Sequence, residues 1–427
     1  MKLDEKQIDK YIERHLPVKI DKKNKYGEVF TPPALINKLL DLFPSSVWLN
    51  PELKWLDPAA GAGFFMIFVY QRLMVGLKEW EPNAGKRGRH IVKNMIYMVE
   101  INKTNCRLCS SLFGPNANII CKDFLSLDNE FGAFDCIVGN PPFQDDYGLT
   151  EMGKRIQGGK SKLYERIFLK SYELLKTGGW LTFVVPDNMF SGNGSNAYKT
   201  LIQNEVPFVS FNSANQDYFP GIQQVICYFI LRKREIGIAG FTTEIENDTN
   251  KIKIRLQDRP VNPIRNWTIE TERLVSRFVS CKRNNVIYNR GKNVDAYKGS
   301  KYPIVYKPDK MLYTNDPKLA VGLNQKKAIL FAISTELAFK MDYSGAMGAG
   351  PNTFIVPFNT NAEGKLLEQF LNSEAYKKLV YATKTNRQYL KIALIEHLKL
   401  TNILKRVKTV KKTVIKRVKT RKFRSRN

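Results

Sequence analysis

Short apolar runs alternate with amphipathic helical stretches over the first half of the chain. The helical patterns include 65–73 and 163–175. The apolar runs between such helices, each of strand length, lie in WLDPAAGAGFF, NMIYMVEIN, NIICKDFLSL, FDCIVGNPPF and GGWLTFVVPDNMF. Strands that alternate with helices predict an α/β domain on a mostly parallel sheet, which a late strand closes near residue 235.

The pattern changes from about residue 240. Short β-like pieces, such as KYPIVYKPD and NTFIVPFNT, precede and flank a helical stretch, KLLEQFLNSEAYKKLVYATK. We therefore expect an N-terminal helix in 1–25, the α/β domain in 26–238, a mixed α+β domain in 239–404 and a polybasic tail in 405–427. The tail holds twelve Lys or Arg among its twenty-three residues and no acidic residue, which is typical of a disordered arm that binds polyanions.

Charge separates this chain from an average globular protein. Its shares of hydrophobic residues (43%) and of charged residues (25%) are ordinary. However, 68 Lys and Arg stand against 40 Asp and Glu, which gives a formal net charge of +28. Because a positive field of this size attracts polyanions, nucleic acid is the predicted class of partner.

Cysteine, histidine and targeting signals argue against several classes of protein. Among six Cys, only Cys106 and Cys109 form a CxxC pair, and His15, His90 and His397 stand apart, so no metal site is predicted. The CxxC pair is expected to pack on a helix face. The N-terminus has no apolar core of the signal-peptide type, and no apolar run reaches membrane-spanning length. We therefore expect a reducing compartment, the cytoplasm or wherever the target DNA is held.

A glycine-bearing turn follows the first strand, in DPAAGAGFF. Asp57 ends the strand, and Gly61 and Gly63 allow the backbone to approach a ligand before a helix begins near Phe64. Glycines at such turns also serve close packing of the helix on the sheet, and the turn alone does not choose between these interpretations. No GK[ST] sequence follows, which disfavours a loop that binds nucleoside triphosphates.

Polar side chains also end the neighbouring strands. In a parallel sheet the ligand lies at the carboxyl ends of the strands, where Asp57, Glu100, Asp123 and Asn140 fall. Glu100 suits ribose hydroxyls, Asp123 suits an exocyclic amine, and Phe124 suits the ring that carries such an amine. Each residue taken singly also fits a solvated strand end. Together they predict a nucleoside-binding rim.

The order of FTPP, DPAAGAGFF, VEIN, KDF and NPPF over about Tyr26 to Arg234 resembles that of S-adenosylmethionine-dependent DNA adenine-N6 methyltransferases with a C-terminal recognition domain. The resemblance implies a Rossmann-like domain with a mostly parallel seven-stranded sheet, target recognition by 239–404, and S-adenosyl-L-methionine as cofactor. It implies these cofactor contacts: Phe30, Thr31, Asp57, Ala59 and Gly61 at the methionine part, Glu100 at the ribose, and Asp123 and Phe124 at the adenine. The local sequence also suggests Thr31 as the cap of a helix that Pro32 and Pro33 begin.

The NPPF element has a chemical interpretation that does not depend on this resemblance. An exocyclic adenine amine is a poor nucleophile because its lone pair is delocalised into the ring. The Asn140 side-chain oxygen and the Pro141 carbonyl can accept its two hydrogens and favour a pyramidal nitrogen. Pro142 stiffens this arm, and Phe143 can stack on the base. The alternative is a rigid turn that merely ends a strand.

A base inside a duplex must be flipped out to reach such a pocket. A second stacking ring is expected from DYFPGIQQV, with Phe219 as the first choice and Tyr218 as the second, although Phe219 also fits a core position. The polar segment QDDYGLTEMGKRIQGGKSKLYER fits a loop that closes over the cofactor or touches phosphates through Lys154, Arg155, Lys160 and Lys162. The alternative is an ordinary mobile loop with solvated charges.

Three functions fit this pattern. The first is site-specific methylation of adenine N6 in double-stranded DNA, as in restriction-modification, and the second is methylation of RNA or of a protein glutamine. The third is a non-catalytic DNA-binding subunit, which intact Asp57 and Asn140 disfavour. The FTPP segment, the extra domain and the basic tail favour DNA. We expect a monomer without a fused nuclease, and a separate restriction endonuclease is left open.

Overall fold

A computed structural model describes most of the chain. The described residues are 8, 10–11, 31–127, 132–143, 162–190, 195–219, 225–235, 237, 240–256, 259, 261, 266–289, 297–332, 337–383, 392–399 and 403. The chain divides into two compact units, Met1–Gln257 and Asp258–Asn427. Each unit has its own sheets and its own buried core.

One nine-stranded sheet runs through the first unit. Its strands are β1 (Trp55–Asp57), β2 (Ile96–Val99), β3 (Asn118–Ile120), β4 (Phe134–Gly139), β5 (Leu175–Pro186), β6 (Glu205–Ser210), β7 (Ile226–Arg232), β8 (Thr243–Glu246) and β9 (Lys251–Ile254). They lie in the order β3-β2-β1-β4-β5-β7-β6-β8-β9. Only β7 and β9 run against the direction of the other seven. The predicted α/β class with a mostly parallel sheet is confirmed.

Helices pack against this sheet and build the core of the first unit. They include α1 (Pro33–Leu40), α2 (Phe64–Gly76), α3 (Ala84–His90), α4 (Lys103–Phe113), α5 (Leu163–Leu174) and α6 (Asn196–Ile202). Asn102 caps α4 by accepting a hydrogen bond from the Thr104 N–H. The apolar face of α2 and the central strands meet in one cluster that includes Phe65, Trp55 and Val138, which are all buried. None of the described helices is long and apolar enough to span a membrane.

The first unit extends further along the chain than its expected end at residue 238. The hairpin of β8 and β9 joins the sheet because β8 pairs with β6, Phe208 lying opposite Glu244. The sheet therefore has nine strands rather than seven, and the units divide at Gln257 and Asp258. Local pattern could not assign this hairpin, since its short β-like pieces resemble those that follow it. Hydrogen bonding to a distant strand decides its place.

The second unit is a mixed α+β structure. Its helices include α7 (Ile269–Phe278), α8 (Asn361–Leu371), α9 (Glu374–Thr383) and α10 (Ile392–Glu396). Its strands are β10 (Ile287–Asn289), β11 (Tyr302–Lys307), β12 (Lys310–Thr314), β13 (Lys327–Phe331), β14 (Phe339–Asp342), β15 (Gly348–Ala349) and β16 (Thr353–Pro357). They form a four-stranded antiparallel sheet, β10-β16-β13-β14, and a three-stranded sheet, β12-β11-β15.

A buried ion pair holds part of the second unit together. Lys327 in β13 and Asp342 in β14 are fully buried, with 2.6 Å between Nζ and Oδ2. The Asp342 carboxylate also accepts hydrogen bonds from the Gly345 and Met347 N–H groups. Although burial alone would raise the pKa of Asp342, these hydrogen bonds and the Lys327 charge lower it. The pair therefore organises the loop between β14 and β15.

Candidate active site

The strand order of the first unit creates a crevice beside β1. The chain runs outward from β1 to β2 and β3 and then crosses back to β4, which pairs with β1 on its other edge. In open α/β sheets, ligands bind outside the carboxyl ends of the strands at such a reversal. Asp57 and Asn140, which end or follow these two strands, therefore share one edge of the sheet.

Gly139 brings the ends of β1 and β4 into close approach. A Cβ atom added at residue 139 would lie 3.0 Å from Asp57 Oδ1 and 3.5 Å from Pro58 Cδ. Such a contact is tighter than most real Cβ contacts, so glycine is the residue that fits without displacing the carboxylate. Sequence reasoning overlooked Gly139, although it directly precedes the NPPF element.

The turn after β1 gives its two glycines different tasks. Gly61 has φ of +53°, and a Cβ added there would meet no atom of the described residues within 4 Å. Gly63 has φ of +83°, and its added Cβ would lie 3.1 Å from Cys109 Sγ and 3.3 Å from a ring atom of Phe113. Gly63 therefore serves helix packing, whereas Gly61 faces open space that suits a ligand.

Asp57 carries a buried carboxyl group with an oxygen left to satisfy. Its side chain is fully buried, and Oδ1 accepts a hydrogen bond from the Ala59 N–H at 3.1 Å. Oδ2 has no hydrogen-bond partner among the described residues. Burial raises the pKa of Asp57 to about 8, the Ala59 N–H lowers it, and the Glu100 charge raises it. A donor or a cation placed at Oδ2 would relieve this cost.

Glu100 ties the end of β2 to the glycine turn. Its Oε2 accepts a hydrogen bond from the Gly61 N–H, and its Oε1 accepts one from the Asn102 N–H, both at 2.7 Å. Its side chain is buried. The Glu100 carboxylate therefore lies directly beside the glycine turn.

Asp123 and Phe124 occupy different environments after β3. Asp123 is exposed and caps a short 3₁₀ helix, Phe124–Ser126, by accepting a hydrogen bond from the Leu125 N–H at 2.9 Å. Phe124 is buried. A disulfide joins Cys106 of α4 to Cys121, just before this pair, a link that the expectation of a reducing compartment did not predict. Asp123 thus has a structural task besides its predicted contact with adenine.

The structure brings two predicted site residues, Thr31 and Asn140, into direct contact. Asn140 Nδ2 donates a hydrogen bond to Thr31 Oγ1 at 3.0 Å across a separation of 109 residues. The suggestion that Thr31 caps α1 is wrong. The N-cap of that helix is Pro32, and it makes no side-chain cap bond.

The other members of the NPPF element lie at the mouth of this edge. Pro141 is buried, and Pro142 and Phe143 are half-buried. The Phe143 ring packs edge-on against Tyr164 of α5, with 6.3 Å between ring centroids and an interplanar angle of 80°. Tyr164 is itself buried, and its hydroxyl donates to Asn188 Oδ1 at 2.5 Å. Tyr164 therefore supports the Phe143 ring from behind.

The two candidate stacking rings in the segment before β7 differ in accessibility. Phe219 is 2% exposed and packs in the core cluster of the first unit. Tyr218 is half-buried, and Lys38 Nζ lies 5.3 Å from its ring centroid. This arrangement favours the core interpretation of Phe219 and leaves Tyr218 as the ring with accessible surface.

Five predicted residues add nothing to the described geometry of the site. Lys162 is exposed and pairs with Glu165, with 2.7 Å between Nζ and Oε1. Its salt bridge fits a solvated surface charge and does not point to a ligand. Four other candidates lie outside the described residues, namely Phe30, Lys154, Arg155 and Lys160.

Sequence reasoning missed a contact from the N-terminal segment. Tyr11 donates a hydrogen bond from its hydroxyl to the Ala62 carbonyl at 2.9 Å, directly beside the glycine turn. Its ring centroid lies 6.1 Å from that of Phe64. Ile8, one turn earlier, is buried in the core cluster. The only sequence signal was helical spacing of Ile8 and Tyr11 in a charged segment, which carries no information about what they touch.

Comparison with known proteins relates this chain to a known family. The profile of the family described as "Eco57I restriction-modification methylase" matches residues 76–218. The modification methylase CviBIII of a Paramecium bursaria Chlorella virus is 30% identical over 41% of this chain and 41% of its own length. A protein of Mycoplasma pneumoniae, named as an uncharacterized adenine-specific methylase, is 39% identical over 49% of this chain and 68% of its own length. The chain thus spans about two fifths of the viral relative.

A solved structure shares the fold. The type IIL restriction-modification enzyme MmeI, solved in complex with DNA, superposes with a TM-score of 0.51 at 13% sequence identity, over 90% of this chain and 69% of that one. At this identity the likeness shows the fold alone. The sequence matches to the methylases carry the relationship, and the Mycoplasma protein is matched over two thirds of its length. The chain therefore belongs to the restriction-modification methylase family that the Eco57I profile describes.

Proposed function

We propose that this chain transfers a methyl group from S-adenosyl-L-methionine to N6 of a flipped-out adenine in double-stranded DNA, at a site selected by sequence. The observation that carries the proposal is the meeting of two groups at one edge of the sheet. Asp57, which suits the cofactor, and the Asn140-Pro141 arm, which suits the target amine, follow paired strands that Gly139 allows to approach closely.

The residues around the glycine turn fit the cofactor that the family implies. The buried Oδ2 of Asp57 needs a donor, and the cofactor's α-ammonium group is one. Gly61 leaves open space at the turn, and the Glu100 carboxylate, an acceptor of the kind that ribose hydroxyls need, stands beside it. When bound, S-adenosyl-L-methionine supplies a sulfonium methyl group as the electrophile. In this proposal Phe30 and Ala59 adjoin the methionine part, and Asp123 and Phe124 adjoin the adenine.

The NPPF arm supplies what the target amine needs. Asn140 Oδ1 and the Pro141 carbonyl accept the two amine hydrogens, so that the nitrogen lone pair localises and points at the methyl group. As the new carbon–nitrogen bond forms and the methyl–sulfur bond breaks to leave a neutral thioether, positive charge would pass to the nitrogen. These two oxygens would stabilise it there until one amine proton leaves to solvent. Pro141 and Pro142 hold φ fixed, so the acceptors do not reorganise during the reaction. The Phe143 ring, supported by Tyr164, stacks on the base.

A flipped base also needs a surface on its second face. Tyr218 is the ring with accessible area in the segment before β7, and Lys38 lies over it. Stacking on aromatic rings is worth about 1–3 kcal/mol per base, which offsets part of the few kcal/mol that unstacking costs. We therefore assign this role to Tyr218 in preference to Phe219. Lys160 and Lys162 remain proposed phosphate contacts.

A basic surface of the second unit supports DNA rather than a protein substrate. The hairpin of β11 and β12 and its flanks carry Lys301, Lys307, Lys310 and Lys318, which are exposed and form no salt bridge within the described part of the chain. Met311 and Tyr313, 37% and 45% exposed, lie among them. Unpaired lysines around exposed apolar side chains suit a phosphate backbone. We propose that the second unit, including this hairpin, recognises the target.

Methyl transfer from tritiated S-adenosyl-L-methionine to mixed-sequence DNA tests the proposal. Nucleoside analysis should recover the label as N6-methyladenine from wild-type protein, and Asn140→Ala should abolish it. Label in added RNA or in protein, with none in DNA, would refute the proposal in favour of the alternative substrates. Cofactor binding without transfer to any polymer would support a non-catalytic subunit instead.

A further inference from the structure

In the structure, the hydrogen bond between Thr31 and Asn140 engages the donating end of the Asn140 amide. An asparagine side chain has one end that only donates and one end that only accepts. In the structure the donating end, Nδ2, faces Thr31 Oγ1 at 3.0 Å. Because the two ends lie on opposite sides of the amide, this contact turns Oδ1 away from Thr31.

The proposed reaction needs that orientation. An amide turned by half a rotation would present N–H groups to an amine that itself donates two hydrogens, and the contact would be repulsive. We propose that Thr31 is a positioning residue that accepts from Asn140 Nδ2 and so aims Oδ1 at the target amine, rather than a residue whose main task is cofactor contact. The inference rests on the proposed function and deepens it.

The backbone that carries the Thr31 hydroxyl is rigid. Pro32, with φ of −61° and ψ of 148°, follows Thr31 directly, and Pro33 begins α1. Leu35 and Ile36 of that helix are fully buried, which fixes the start of α1 in the core. Thr31 itself is only 6% exposed, so water competes little for its oxygen. Pro32 restricts the backbone of Thr31 directly before it, and both prolines fix their own φ, which keeps the oxygen in place.

The local sequence also leaves the hydroxyl available for this task. A threonine just before a helix ordinarily spends its side chain on the first N–H groups. Here the N-cap position belongs to Pro32, and the N–H groups of Leu35 and Ile36 donate to the Pro32 carbonyl. The Thr31 hydroxyl therefore does not cap α1. It accepts instead from Asn140, which is distant in sequence and begins the acceptor arm.

Thr31→Val and Thr31→Ser separate positioning from cofactor contact. Thr31→Val keeps the shape but removes the acceptor, so we expect kcat to fall about tenfold to a hundredfold, the range for a misaligned catalytic group. The cofactor Kd, measured by isothermal titration with S-adenosyl-L-methionine, should change less than about threefold. Thr31→Ser keeps the hydroxyl and should retain at least about a third of the wild-type kcat. A raised cofactor Kd with unchanged kcat would overturn the inference.

An Asn140→Asp background gives a second, independent test. A carboxylate has two equivalent acceptor oxygens, so no orientation can be lost when Thr31 is replaced. Adding Thr31→Val to Asn140→Asp should therefore lower kcat by less than about threefold, far less than in the Asn140 protein. Equal losses in both backgrounds would mean that Thr31 acts only through packing, and the inference would be wrong. If Asn140→Asp has no measurable kcat, the contrast between Thr31→Ser and Thr31→Val decides.

Different results would refute the proposed function and the role of Thr31. Wild-type protein that transfers no label to adenine in any DNA refutes the proposed function. Wild-type protein that methylates adenine, while Thr31→Val matches it in kcat, refutes only the role of Thr31.

Discussion

Ionisation of Asp57 should control cofactor affinity. Burial raises the pKa of its carboxyl to about 8, so without cofactor the side chain is mostly protonated at pH 6. Pairing with the cofactor's α-ammonium group requires the ionised form. The ionised fraction rises from about 1% at pH 6 to about 24% at pH 7.5, which follows from a pKa of about 8. The Kd for S-adenosyl-L-methionine should therefore fall about twentyfold over this range.

The range stops at pH 7.5 for a physical reason. The α-amino group of the cofactor itself titrates near pH 8, so at higher pH the ligand loses the charge that Asp57 would meet. Between pH 6 and 7.5 the charged fraction of this amine falls only to about three quarters, which is small beside the rise in the ionised fraction of Asp57. Binding should release about one proton at pH 6 and about half a proton at pH 7.5, which isothermal titration in two buffers of different ionisation enthalpy measures directly.

Asp57→Asn is the matched control. It keeps the size of the side chain and removes the titration, so its Kd should stay constant between pH 6 and 7.5. Its proton release should disappear over the same range. A wild-type Kd that does not depend on pH, or an equal slope in Asp57→Asn, would refute the reasoning.

The raised pKa of Asp57 also makes the free energy of unfolding depend on pH. The folded pKa lies above the unfolded value of about 3.9, so the fold favours the protonated carboxyl. Without cofactor, this contribution to the free energy of unfolding is fully present below about pH 4 and is lost as pH rises towards about 8. Asp57→Asn should remove that loss, which thermal unfolding at pH 5 and pH 8 would detect.

Three further predictions concern other parts of the chain. Lys307→Gln with Lys310→Gln should weaken DNA binding at every sequence and reduce the slope of log K against log salt by about 2 in filter-binding or anisotropy titrations. The control is Lys377→Gln with Lys378→Gln. These two lysines pair with Glu374 and Glu270, so the slope should not change. Gly139→Ala should raise the cofactor Kd, because its Cβ would press on Asp57 Oδ1, and an unaltered Kd in equilibrium dialysis would contradict the proposed close approach. Asp342→Ala should destabilise the second unit by about 3–5 kcal/mol, because it leaves the Lys327 ammonium buried without its partner. Lys327→Met with Asp342→Asn, which keeps an acceptor for the Gly345 and Met347 N–H groups, should cost much less in calorimetric unfolding.

The sequence by itself determined the class of fold and most of the residues of the candidate site. Strand-length apolar runs that alternate with helices can satisfy their backbone and bury their faces in few ways, so the mostly parallel sheet followed from pattern. Because carboxyl ends of parallel strands meet at one edge, Asp57, Glu100, Asp123 and Asn140 could be placed together before any coordinates. The chemistry proposed for Asn140-Pro141 also followed from residue type and order.

Only the tertiary structure decided contacts between segments that are distant in sequence. It assigned β8 and β9 to the first unit through pairing with β6. It gave the Thr31 hydroxyl to Asn140 instead of α1. The reason is physical: local propensity and spacing report what a residue can do within a few neighbours. Which donor meets which acceptor across 109 residues depends on how helices and strands pack.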